Sequence, residues 1–387
     1  MSALSGMTAL LSLHRSLTLQ SRFMPVAAQL TSTYLARRLC SSSKTNDDPK
    51  PPGTENESLL ENLNLMGVDV RKAQERQPGV FRRAFTNEQG VHQFLQGKGA
   101  SRKVIAGIIS RYPRAITRSI AHLEQRWGLW RKIFKTDEEI VSILDRSPES
   151  FFRSSDNVNL EKNIAFLTSL GLSTKDLHRM LATAPRTFSN SLELNRQMVE
   201  FLEDICSELG GKNPPLFAKN IISRNLYILI KSTKRVRTNI DILRASLKLS
   251  DAELLVLFQG PGAEILDLSN EYLKRNLNCL ELKMVALGYQ KADMNKLIIS
   301  YPLVLYIGPD TLSSKLDCLL QGGITIKQII EKPKVLDYST QNIKGRLEQL
   351  HKVGYDFQRN GINILDSSKK RFDAKLEKLK AFPEEYM

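Results

Sequence analysis

Between Leu172 and Pro185 the apolar positions keep helical spacing: Leu172, Leu177, Met180 and Leu181 form one stripe with charged residues between them. Ser173 or Thr174 heads the stripe as an N-cap. Pro185 ends it, because the residue before a proline avoids α geometry. The chain then runs "PRTF", which sets an arginine and a large apolar residue directly behind the stop. A proline of this kind suits the first position of a new, short 3₁₀ turn whose apolar residue reaches back into the core.

The same grammar returns along the chain. "QPGVF", "YPRAI", "SPESF", "YPLVL" and "KPKVL" carry Pro78, Pro113, Pro148, Pro302 and Pro333. The third residue after each proline is large and apolar: Phe81, Ile116, Phe151, Phe188, Leu305 and Leu336. Two degenerate copies fill the gap after Pro185, with Leu226 ("NLYIL") and Gly262 ("PGAEIL") in the proline place. Eight positions then recur every 31 to 41 residues, a period typical of helical arrays. "LHKVGYDFQRNGINIL" is a ninth, partial copy without the proline.

Upstream of most prolines stands a glycine, at Gly67, Gly99, Gly171, Gly288 and Gly323, placed to close a helix in the left-handed conformation. Ten to fourteen residues separate each from its proline, enough for one helix of two or three turns. Each repeat therefore reads as helix, glycine stop, second helix and proline turn. No alternating strand pattern competes, and the chain is expected to be an all-α solenoid of eight to nine repeats.

Composition changes this picture in one respect. Lys and Arg number 56 against 41 Asp and Glu, a formal charge of +15 and a pI near 9.6. Such an excess favours a polyanionic partner, against the simpler reading of a basic protein in a basic compartment. No apolar run is long enough to span a membrane. Residues 1–43 are rich in Leu, Ser, Thr and Arg with no acidic residue, the composition of a mitochondrial transit peptide. Residues 44–57 form a polar, proline-rich linker, and the working domain is expected over 58–387.

Chemistry is sparse. The four cysteines and five histidines are scattered without metal-ligand or disulfide spacing. No nucleophile elbow, phosphate-binding glycine loop or HExxH motif is present, so neither an enzyme nor a cofactor is expected. Trp127 and Trp130, three residues apart on a helix, read as core.

An Arg/Ser-rich leader followed by repeats of the form LxxLG…xxP, with stretches such as "ISRYPRAITR", "RSPESFFRS", "TAPRTFSNS", "STKRVR" and "GPGAEILDLSN", resembles the mitochondrial transcription termination factor (mTERF) family over roughly residues 58 to 380. The resemblance implies a left-handed superhelical array of repeats, each of two α-helices and a 3₁₀ turn. It implies a monomer on duplex mitochondrial DNA in the matrix nucleoid, working against the transcription machinery. It further implies termination at a site in the leucine tRNA gene beside the ribosomal RNA genes, by unwinding and bending the duplex and everting bases.

By motif, Arg153, Arg186, Arg235 and Arg371 resemble the family's base-reading arginines. Lys334 stands where the family has arginine ("NPRVLD" against "KPKVLD" here) and lacks the two-pronged guanidinium. Arg146, Tyr227 and Tyr272 resemble the set that stacks on everted bases, Tyr227 replacing a phenylalanine. An organellar RNA-binding or ribosome-assembly scaffold, and a helical protein-interaction scaffold, stand as alternatives.

Overall fold

A computed structural model describes residues 56–154 and 156–381. The leader and nearly all of the linker lie outside these. Among the described residues the regular structure is helical throughout. They divide into two compact bodies, one ending at Val236 and one beginning at Arg237, with the division inside the helix Thr233–Leu247.

Most repeats are built as the punctuation predicts. In the fourth, Asn157–Ser169 is followed by Thr174–Thr183 and the 3₁₀ turn Pro185–Ser189. Ser173 caps the second helix, closing a reciprocal box with Asp176. All four stripe residues, Leu172, Leu177, Met180 and Leu181, are buried. The glycine stops hold too: Gly288 has φ +80°, its N–H donates to Val285 O and that of Tyr289 to Met284 O, both at 2.9 Å. This satisfies carbonyls that a helix end would leave bare. In the sixth repeat a lysine, Lys248, takes the left-handed place at φ +52°.

The apolar residue of every turn is buried, from Phe81 to Leu336. Phe151 sits edge-on to Trp127 and Trp130 at 5.7 and 5.2 Å, which fixes both tryptophans in the core. Three places differ from expectation. The third repeat continues from Pro148 into an α-helical turn, Glu149–Phe152, rather than 3₁₀. The sixth turn starts at Pro261, not Gly262, and runs seven residues to Asp267. Asn56, read as linker, caps the first helix Glu57–Leu65 through its side chain.

A second recurrence holds six of the repeats closed. Seven residues after the N-cap of the first helix stands a buried polar side chain: Arg126, Asn163, Asn239, Asn276, Lys315 or Arg346. Each donates to a carbonyl at the end of its own repeat's turn. Asn276 reaches Leu305 O at 2.7 Å and Ile307 O at 3.2 Å, and Asn239 reaches Leu266 O and Leu268 O at 3.0 and 2.8 Å. Leu266 is thus the anchor of the lengthened sixth turn. Arg346 reaches Leu365 O and Ser367 O at 2.7 and 2.8 Å, which makes "INILDS" the turn of the ninth, proline-less repeat. In the first two repeats the N-cap asparagines do this work, Asn56 on Arg83 O and Asn87 on Arg118 O. Turn carbonyls buried without such donors would carry the full cost of desolvation.

Candidate nucleic-acid interface

From the end of the second helix, through the proline turn, to the start of the next first helix runs a stretch that recurs once per repeat. The eight residues singled out from the sequence fall within it. Arg146 lies two residues before its proline, and Arg186 and Lys334 directly after theirs. Tyr227 follows Leu226, which holds the proline place of the fifth repeat. Arg153 lies five residues after Pro148. Arg235, Tyr272 and Arg371 each stand three residues after a helix-capping serine, Ser232, Ser269 and Ser368, whose hydroxyls accept their backbone N–H groups. The eight stand at several offsets from the proline place, with Arg186, Tyr227 and Lys334 sharing the position directly after it. Arg146, Arg153, Arg186, Tyr227 and Arg235 belong to the first body, and Tyr272, Lys334 and Arg371 to the second.

Their local chemistry differs. Arg153, Arg186, Lys334 and Arg371 are exposed, and among the described residues their side chains make no hydrogen bond or ion pair. Arg146 is exposed and donates only from Nε to Ser142 O, at 3.3 Å. A solvated guanidinium without an acidic partner keeps both its charge and its planar fork for an incoming anion or guanine edge. Arg235 is half-buried.

Both tyrosines are half-buried and face cations, Tyr227 with Lys231 Nζ 5.9 Å from its ring centre and Tyr272 with the Arg275 guanidinium at 5.1 Å. The Tyr272 hydroxyl donates to Tyr306 O at 2.8 Å, so this ring is oriented by the next turn.

The structure adds residues that motif reading missed. Five residues after the first three prolines stand Arg83, Arg118 and Arg153, an arginine in one register in three successive repeats. Arg114 directly follows Pro113 and is exposed. Arg118 feels its neighbours: burial lowers its pKa, and Arg114 and Arg83 lower it further against Tyr112. Tyr112 is pushed up by burial, with Arg114, Arg118 and Arg153 opposing. Arg118 is half structural, donating to Phe152 O at 2.8 Å.

Arg126, only 1% exposed, is drawn down to about 10 by burial, and His122 beside it is lowered by burial and by Arg126 and Arg118. A run of arginines two residues before the proline place, Arg76, Arg111, Arg146 and Arg224, was also legible as a column. Arg111 there pairs with Asp145 at 3.1 Å.

No group of metal-ligating side chains occurs among the described residues, and none of their helices is long and apolar enough to cross a membrane.

Comparison with known proteins accords with the repeat fold. A family model described as mTERF matches residues 60–373. The chain is 52% identical over 337 residues to human "Transcription termination factor 1, mitochondrial", covering 87% of this chain and 84% of that protein. It is 47% identical over 361 residues to mouse "Transcription termination factor 1a, mitochondrial", covering 93% and 95%. Human "Transcription termination factor 2, mitochondrial" is 28% identical over 360 residues, covering 89% and 92%.

Proposed function

Because the chain belongs to the mTERF family, we propose that it is a sequence-specific duplex DNA-binding protein of the mitochondrial matrix that terminates transcription and has no catalytic activity. The observation that carries this reading is the set of exposed cations without acidic partners beside the proline turns, three of which, Arg114, Arg186 and Lys334, directly follow the proline. Repeating a cation at a fixed phase of a helical repeat matches a polyanion whose charges also repeat, and counterion release then supplies affinity.

Arg153, Arg186, Arg235 and Arg371 read bases, with Lys334 in a weaker version of the same role. Arg146, Tyr227 and Tyr272 stack on bases everted from an unwound, bent duplex, where a flat side chain replaces the lost stacking partner. The site is in the leucine tRNA gene beside the ribosomal RNA genes. The protein acts there as a monomer in the nucleoid, after import directed by residues 1–43, as an obstacle to the transcription machinery.

The test is a nuclease footprint of the purified chain on mitochondrial DNA, joined to a run-off transcription assay across the protected site. A discrete footprint with truncated transcripts is expected. The variant carrying Ala at Arg146, Tyr227 and Tyr272 should bind but read through, and full termination by it would remove the base-eversion part. Stronger retention on ribosomal RNA than on duplex DNA would favour the scaffold reading instead.

A further inference from the structure

The first repeat ends differently from its neighbours. From Pro113, Pro185, Pro302 and Pro333 the next N-cap lies six residues on, whereas nine residues separate Pro78 from Asn87. Both ends of this longer connection are tied. Asn56 Nδ2 donates to Arg83 O at 3.2 Å, and Asn87 donates from its backbone to Ile116 O at 2.7 Å and from its side chain to Arg118 O at 2.9 Å. Between the ties lies Phe85, 91% exposed, the most exposed of the large apolar side chains among the described residues. Water gains nothing from that ring, and a single exposed aromatic on its own needs no explanation.

Its surroundings do call for one. Arg82 and Arg83 are exposed in the same connection, Arg114 is exposed in the adjoining turn, and Arg83 and Arg114 lie close enough to Arg118 to lower its proton affinity. Among the described residues no carboxylate pairs with the side chains of Arg82, Arg83 or Arg114. An aromatic ring held on a tied loop inside uncompensated guanidinium charge fits a polyanion that also offers flat apolar surfaces. Nucleic acid has both, whereas an acidic protein surface supplies the charge without the stacking planes.

We propose that Phe85, with Arg83 and Arg114, forms an additional duplex-DNA contact at the amino-terminal end of the array, the arginines on phosphates and the ring against bases and sugars. The proposal rests on the duplex-binding reading above and extends it to a repeat in which no base-contacting residue was expected. It makes Phe85 a determinant of affinity rather than of sequence, since sugar edges and a wedged base step offer apolar surface whatever the base.

The test uses the full chain and a duplex fragment of mitochondrial DNA. Phe85→Ala should weaken binding roughly tenfold, with Phe85→Trp close to wild type. Arg83→Gln and Arg114→Gln should each lower the slope of log affinity against log salt by about one. In Phe85→Trp the new indole reports directly, because Trp127 and Trp130 are buried. Its emission should be open to acrylamide quenching in the free protein and shielded at saturating DNA.

Phe85→Ala binding within twofold of wild type, or an indole still quenched by acrylamide in the saturated complex, overturns the proposal. So does an indole already shielded in the free protein, which would mean that another part of the chain covers it. If the wild-type chain itself fails to bind the duplex, the underlying reading falls and the proposal with it, an outcome the wild-type titration identifies separately.

Discussion

Lys315 occupies the clamp position of the eighth repeat, 2% exposed, with Nζ 2.6 Å from Leu336 O. In the fourth, sixth and seventh repeats the same place holds a neutral asparagine. Burial pulls the Lys315 pKa from 10.5 to about 8. A lysine whose folded pKa lies below its unfolded value holds its proton more weakly in the native state. Its ammonium therefore costs the fold about 3 kcal/mol, in full below pH 8, and the cost is relieved as pH rises from about 8 towards 10.5.

Lys315→Met keeps the volume and removes the charge, leaving Leu336 O short of one donor, a loss of about 1–3 kcal/mol. Near pH 7 the two effects offset one another. Between pH 7 and pH 10 the wild type should gain about 2–3 kcal/mol relative to the variant, because only it sheds a buried charge. Urea denaturation followed by circular dichroism at three pH values measures this, and groups common to both chains cancel in the difference. Parallel pH dependences for the two proteins would show that Lys315 carries no such cost.

Lys248→Gly should raise stability by about 0.5 kcal/mol, since relief of a left-handed lysine exceeds the entropy of an added glycine; a loss in urea melts would count against the φ assigned there. Asn276→Leu should lose about 2–3 kcal/mol by stripping donors from Leu305 O and Ile307 O, and should speed amide exchange at the seventh turn; unchanged stability would mean those carbonyls find water. Lys334→Arg should sharpen the ratio of site to random-sequence affinity about tenfold by restoring a two-pronged donor. Equal gains on both duplexes in a competition assay would place residue 334 on phosphate.

The punctuation of the repeats was legible in the amino-acid order alone. Proline and glycine act through dihedral constraints local to the chain, so Pro185 and Gly288 announce a turn and a stop wherever they fold. The apolar stripes were equally local. The clamps were not legible in the same way, because asparagine, lysine and arginine do one job, and Arg126 or Lys315 read singly is a surface cation. Their signal was a polar residue seven positions after a helix cap, on the apolar face. Lys248 hid a stop because the left-handed region excludes no residue absolutely. The lengthened sixth turn concealed that Leu266 is the anchor.

At the candidate interface, the registers of Arg186 and Lys334 follow from their prolines. The tie from Tyr272 to Tyr306 O within the seventh repeat, and the action of Arg83 and Arg114 on Arg118 across the first and second, depend on packing of residues distant in sequence, which no local rule supplies.

The central claim is that turn-edge arginines read duplex sequence and do more than neutralise it. Arg186 tests it most directly, because its side chain is exposed and makes no hydrogen bond or ion pair among the described residues, so its removal leaves the fold intact. The measurement is the affinity of wild type and Arg186→Ala for the protected mitochondrial site and for a scrambled duplex, each across a salt series. The account predicts a loss of about 1–3 kcal/mol on the site against a much smaller one on the scrambled duplex. Equal losses on both, with a salt slope lower by about one, would put Arg186 on phosphate and contradict it.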